Sequence, residues 1–255
     1  MPLRHNILRA IFVAAVLCGL AITTHAPAQV PALQPLDADI QQTSVSGVSS
    51  GAFMAVQFEV AHSSIVKGAG AIAGGPYFCA QGSLFTAATV CSCTAFQLLC
   101  RTGDGATDVT ALVSATRRFE RNGSIDATRH LANHRVYLFS GTLDTLIPPP
   151  VVRDLAEYYK GFMNQANVHL VADIKANHAM PTLSFGKTFV EHAGYNRWAD
   201  TNDIIVLYPQ AVATFTNPQG CWDWWGFDDA NYAVKAGRQI TAVRAMLDRI
   251  ASGRH

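Results

Sequence analysis

The 255-residue chain is short of charge: only 15% of its residues are Asp, Glu, Lys or Arg, and the formal net charge is +1. Without Arg4 and Arg9, which belong to a leader-like segment, the balance is 17 basic to 18 acidic residues. No basic stripe is left to attract a polyanion, so the sequence makes no electrostatic case for nucleic acid. It also lacks a G-x-x-x-x-G-K-[ST] loop and an H-E-x-x-H helix, the usual marks of a phosphate cradle and of a zinc hydrolase. No apolar run reaches the roughly 20 residues that a bilayer span requires. With 49% hydrophobic residues the chain can bury one sizeable core. Disordered and fibrous classes drop out, and a cofactor-free protein acting on a neutral or apolar partner is the expectation.

Two basic residues, an apolar stretch over 10–22 and Ala26-Pro27-Ala28 give residues 1–28 the pattern of a secretory signal peptide, with cleavage before Gln29. A lipoprotein reading through Cys18 places Leu17 where a small residue is expected. The predicted product is a secreted or periplasmic single domain over 29–255, without a membrane anchor once the leader is gone and without an obligate protein partner. Export favours disulfides among the remaining Cys79, Cys91, Cys93, Cys100 and Cys221. Five cannot all pair, and the spacing leaves the connectivity open. Zinc is the weaker alternative, because Cys91-x-Cys93 lacks the usual two-to-four-residue spacer.

Strand and helix patterns alternate along the chain. Strands are predicted over 39–47, 66–73, 135–140, 168–171 and 203–208, the last being the clearest buried run. Helices are predicted over 51–62, 108–119, 151–164 and 232–250. This order implies an α/β fold, a mostly parallel sheet with helices on both faces.

Gly47-Val48-Ser49-Ser50-Gly51 matches G-x-S-x-G at a strand-to-helix turn, where the pattern presents a strained serine above the sheet. Ser49 is therefore the candidate nucleophile. A serine needs an imidazole to take its proton and a carboxylate to hold that imidazole. Asp144, just past the 135–140 strand, is the preferred acid, ahead of Asp126 and Asp173. His178, on a loop after the 168–171 strand, is the preferred base; His62, His130, His134, His169 and His192 are more simply read as capping, strand or surface residues. The order Ser, Asp, His is that of the α/β-hydrolase fold.

Only about 20 residues separate Gln29 from Ser49, too few for the strands that ordinarily precede the nucleophile in that fold. A strong strand at 203–208, a loop and a helix instead follow the histidine. This suggests circular permutation, with the loop at 211–229 folded back beside the serine. That loop carries Trp222, Trp224 and Trp225, which could form an apolar wall, with Tyr77 and Phe78 facing it.

Three segments, residues 44–54, 73–80 and 217–227, resemble the poly(3-hydroxybutyrate) depolymerases, in particular the single-domain, circularly permuted α/β-hydrolase kind. The resemblance implies a triad of Ser49, Asp144 and His178, and an oxyanion hole from the backbone N–H groups of Ser50 and Cys221. It also implies a hydroxyacyl-enzyme formed from a polyester or oligoester. Many secreted relatives append a linker and a polymer-adsorbing domain that this sequence does not show, so adsorption to a solid would need an apolar face on the catalytic domain itself. Thr43 stands where some relatives have Cys. The competing readings are a secreted carbohydrate esterase acting on acetyl or feruloyl esters, and a non-catalytic binder of apolar polymers.

Overall fold

A computed structural model describes residues 32–95, 97–178 and 195–253. The leader, with its expected cleavage point, lies outside these residues, as does His192. The sheet is built from β1 (Thr43–Val48), β2 (Val66–Ile72), β3 (Arg135–Phe139) and β4 (Val168–Val171), all parallel and in the order β1-β2-β3-β4. The helices are α1 (Ser50–Ala61), α2 (Leu84–Thr89), α3 (Val109–Arg121), α4 (Pro149–Lys160), α5 (Tyr195–Asp200) and α6 (Arg238–Ala251).

Register shows where the core lies. Val45 pairs with Ala69, Ala69 with Val136 and Val136 with Val168; Gly47, Ala71, Leu138 and Leu170 form the next row. Side chains alternate along a strand, so these two rows share one face. That face meets the core made by α1, by Leu112 of α3 and by Val152, Leu155 and Tyr159 of α4. Tyr137 points to the opposite face, where it is 43% exposed and its ring stacks on His169. From Ala52 to Ala61 every residue of α1 is buried, as expected for a helix apolar on nearly all sides. Pro149 and Pro150 occupy the first turn of α4, where a missing N–H costs nothing.

The short α2 is not expected, but the four strands and three of the four helices preceding residue 172 match the sequence expectation to within a few residues. The C-terminal part does not. Residues 204–210 carry no regular structure, and Ile204 and Ile205 are 41% and 42% exposed, so the expected buried strand at 203–208 is absent. An apolar run needs a neighbouring strand to satisfy its backbone, and among the described residues none pairs with it. The expected helix at 232–250 starts only at Arg238; Ala233 and Val234 are buried, but in turns ahead of it. The permuted arrangement therefore takes a different form: β1, bearing Ser49 at its end, is the first strand of the described sheet, and a C-terminal loop rather than a strand returns to it.

Cys79 pairs with Cys91 and Cys93 with Cys100, while Cys221 is a free thiol. Placing Cys91 and Cys93 in separate disulfides removes the zinc alternative. No helix among the described residues is long and apolar enough to cross a membrane.

Candidate active site

Ser49 sits between β1 and α1 with φ 56° and ψ −124°, a left-handed conformation that is costly for any residue with a side chain. Three backbone hydrogen bonds hold it there. Its N–H donates to Ile72 of β2 at 2.9 Å, and its carbonyl accepts from Ala52 and Phe53 at 2.9 and 3.2 Å. Gly47 makes the turn possible, because a Cβ there would lie 2.1 Å from the Gly51 carbonyl oxygen. Gly51 is under less constraint: a Cβ would meet the Trp222 ring at 3.6 Å, an ordinary contact.

The acid and the base arrive on loops stitched together by their backbones. Thr142 N–H donates to Ile174 O and Leu143 N–H to Ala176 O. A Cβ at Gly141 would fall 2.1 Å from the Ala176 carbonyl oxygen, so only glycine permits this approach. Asp144 is 4% exposed; its Oδ1 accepts from the N–H groups of Leu146 and Ile147, both at 2.9 Å. Its Oδ2 lies 2.8 Å from His178 Nδ1, and His178 Nε2 lies 3.0 Å from Ser49 Oγ. An ionised carboxylate only accepts, so Nδ1 carries the hydrogen and the Nε2 lone pair faces the serine hydroxyl. That is the relay a serine nucleophile needs.

The expected oxyanion donors divide. Ser50 is the first residue of α1, so its N–H has no acceptor within the helix and points from the positive end of the helix dipole. Cys221 differs from expectation. Its N–H donates to Asn217 Oδ1 at 3.0 Å while Asn217 Nδ2 donates to Cys221 O at 2.8 Å, a closed ring that takes up this donor within its own loop. The next N–H, of Trp222, donates to Ser50 Oγ at 3.3 Å.

The five expected substrate-binding aromatics also separate. Trp222 stands beside the nucleophile turn, its ring over Gly51. Trp224 stacks on Phe53 at 4.4 Å and Trp225 packs near Phe227, and both lean on the core. Tyr77 is a core residue: it is 1% exposed, and its hydroxyl donates to Ala233 O at 2.7 Å. Phe78 meets the Phe119 ring edge-on and stacks on Tyr232. Tyr77 and Phe78 therefore anchor the turns before α6 and do not form an opposing wall, because the chain at 232–234 fills the space they would face.

Of the other candidates, Asp126 is engaged away from the serine, and His134 is a core residue and not the capping or surface residue expected. Asp126 accepts from Ser64 and pairs with Lys235, while His134 is buried against Glu59 and Ser63. Residues the sequence reading passed over form a second layer. Gln57 and Glu59, polar in a helix otherwise apolar, were the available signal. Gln57 Nε2 donates to Asp223 O and Tyr232 O, and Glu59 accepts from Tyr159.

No protein-family model matches the chain. Individual relatives do. A poly(3-hydroxybutyrate) depolymerase of Delftia acidovorans is 33% identical over 94% of this chain, which spans 65% of that protein. A polyhydroxybutyrate depolymerase of Talaromyces funiculosus is 26% identical over 87% of this chain and 93% of its own length. Among solved structures, a PHB depolymerase from Penicillium funiculosum superposes with a TM-score of 0.76 at 23% identity. A PHB depolymerase complexed with an R3HB trimer gives 0.75 at the same identity; each covers 88% of this chain and all of the matched one. The chain has the α/β-hydrolase fold of these solved structures and is similar in sequence to poly(3-hydroxybutyrate) depolymerases, spanning less than two thirds of the length of the one from Delftia acidovorans.

Proposed function

We propose that the protein is an exported serine esterase that hydrolyses poly(3-hydroxybutyrate) or its oligomers through a hydroxyacyl-enzyme. The observation that carries this is the continuous relay from Ser49 through His178 to Asp144, at 3.0 and 2.8 Å. His178 Nε2 takes the Ser49 proton as Oγ attacks the ester carbonyl. The imidazolium then donates that proton to the departing alkoxide oxygen of the next unit, which leaves as a hydroxyl. A water attacks the acyl-enzyme, loses a proton to Nε2 and releases the hydroxyacid, restoring Ser49. The Ser50 N–H supports the developing oxyanion, and one such donor is typically worth about 100-fold to 1000-fold in rate. Substrate class follows from the relatives, one of which binds an R3HB trimer, and from Trp222 beside the nucleophile.

Contact with a solid polymer is supported by exposed apolar side chains. Leu143 and Leu146 flank the acid, and Val212 and Phe215 stand on the C-terminal loop, all exposed. Two disulfides fit an oxidising destination.

The test is product analysis from a short 3-hydroxybutyrate oligomer, set beside acetylated xylan and a feruloyl ester. Shorter hydroxyacids from the wild type and none from Ser49→Ala are expected. Preference for a sugar ester would move the protein to the carbohydrate esterases. Oligomer binding without turnover, unchanged by Ser49→Ala, would make it a binding protein.

A further inference from the structure

The loop that carries Trp222 has almost no backbone ladder of its own, and its placement rests on buried side chains. Asp223 is 2% exposed, and its carboxylate accepts four backbone N–H groups: Gly226 and Phe227 on Oδ1, Asp228 and Asp229 on Oδ2, at 2.7 to 3.0 Å. These bonds make 223–229 a closed unit. They do not say where that unit stands relative to the serine.

Gln57 supplies that link. It lies eight residues after Ser49, about two turns along α1, and is 2% exposed. Its Nε2 donates to Asp223 O at 3.0 Å and to Tyr232 O at 3.3 Å, using both amide hydrogens on the two ends of the irregular segment. From α6, Gln239 Oε1 accepts the Asp223 N–H at 2.7 Å. Trp222, the preceding residue, reaches Ser50 Oγ through its own N–H. The helix that begins at the nucleophile thus holds the aromatic loop at two points: at Ser50, through a 3.3 Å bond at the partly buried helix start, and at Gln57, deep in the core.

We propose that Gln57 is a positioning residue, whose amide fixes Trp222 beside Ser49 and so governs the fit of an extended oligoester chain. This rests on the esterase reading above. The triad is anchored separately, through β2 and the 141–178 loops, so proton transfer does not need Gln57. Binding of a chain that extends past the reacting carbonyl does, and displacement by about 1 Å can cost on the order of 100-fold.

The experiment compares wild type, Gln57→Leu and Gln57→Glu, each checked for a cooperative thermal transition. Readouts are KM and kcat on a 3-hydroxybutyrate trimer and the rate at which a small phosphonate labels Ser49. Gln57→Leu should raise KM about 10-fold or more while labelling stays within about threefold. Gln57→Glu places a carboxyl against two carbonyl oxygens, where burial and the carbonyl dipoles favour its protonated, donating form. Its KM should be intermediate and should climb with pH as the carboxyl ionises, a dependence wild type lacks.

KM within twofold of wild type in folded Gln57→Leu overturns the proposal. So does an equal loss in KM-normalised turnover and in labelling, which would report a damaged fold. If wild type leaves the trimer intact, the esterase reading fails by itself, and the positioning is then read from near-ultraviolet circular dichroism of the tryptophans. A weakened signal in Gln57→Leu supports it and an unchanged one overturns it.

Discussion

Two parts of the molecule meet at Ser49 and are held by different physics. On one side, β1 to β4 form a parallel ladder, regular but for a register shift between Thr43 and Ser44, and the loops bearing Ser49, Asp144 and His178 extend from its ends. On the other, residues 211–237 follow no ladder and depend on individual side chains: Asn217 on Cys221, Asp223 on four N–H groups, Gln57 and Gln239 on Asp223. Loss of one bond from a ladder leaves its neighbours in place. Loss of one side chain from the second part removes several bonds together, because each knot has a single centre. On the proposed function, the first part sets the chemistry and the second shapes what the serine can reach.

The largest expected effect falls on the first part. Asp144 Oδ1 is fixed by two backbone N–H donors, so in Asp144→Asn the amide oxygen stays with Leu146 and Ile147 and the NH2 turns toward His178. Nδ1 must then accept, Nε2 carries the hydrogen, and the serine loses its base. The expected outcome is a fall in kcat of about 10⁴ with the fold intact, the size seen when a triad carboxylate is neutralised elsewhere. Steady-state kinetics on a 3-hydroxybutyrate oligomer check it. A loss below about tenfold would mean that His178 keeps its tautomer without the carboxylate, and that the second part contributes more than ground-state fit.

A smaller and differently distributed effect is expected from Asp223→Asn. The amide retains one acceptor oxygen, leaving two of the four N–H groups facing an NH2. Hydrogen bonds to a charged acceptor contribute roughly 1.5–3 kcal/mol each, so a cost of about 3 kcal/mol is expected. If the two parts are as separable as their bonding suggests, this cost opens the loop and not the sheet. Limited proteolysis should then cut within 211–230 while Ser49 labelling persists. A fall in the midpoint of global unfolding with no new cleavage would show one cooperative unit, and the contrast drawn above would be wrong.

The same contrast explains what the sequence revealed. Period-2 and apolar-helix patterns place β1 to β4, α1, α3 and α4 because ladder and helix elements repeat, and a repeat is visible as a period. The turn at Ser49 was legible because its strain demands Gly47, and the meeting of Asp144 and His178 with it because loops gather at the ends of parallel strands. The run Asp203-Ile204-Ile205-Val206-Leu207-Tyr208 has strand composition, yet composition does not supply a partner strand. Ala233 and Val234 have helical spacing, yet they are buried in turns that close on Asn231. Cys221 stood beside the serine in pattern, but its N–H is taken by an asparagine four residues earlier, a bond set by local loop geometry. Gln57 was visible only as a polar residue in an apolar helix, with no hint of which carbonyls it meets.

His62 offers the mildest test, at the seam where α1 faces α6. Its ring lies 4.9 Å from that of Phe58, its Nδ1 is 3.5 Å from the Arg244 guanidinium, and its Nε2 is buried without a partner. Burial first, and then Arg244, lower its pKa to about 4; Asp126 and Asp248 oppose this and Lys235 reinforces it, all more weakly. The folded protein thus keeps His62 neutral down to about pH 4, whereas the unfolded chain takes up a proton near pH 6.5. Between these values the unfolded state binds more protons, so this contribution is fully present above pH 6.5 and is lost as the pH falls toward 4. One pH unit is worth at most about 1.4 kcal/mol, and with solvent close to part of the ring the loss should be on the order of 2 kcal/mol. Urea unfolding at pH 7 and pH 4.5 should show wild type losing more stability than His62→Asn by about that amount. Equal losses in the two proteins would mean that the α1–α6 seam admits the charged ring and is softer than its packing implies.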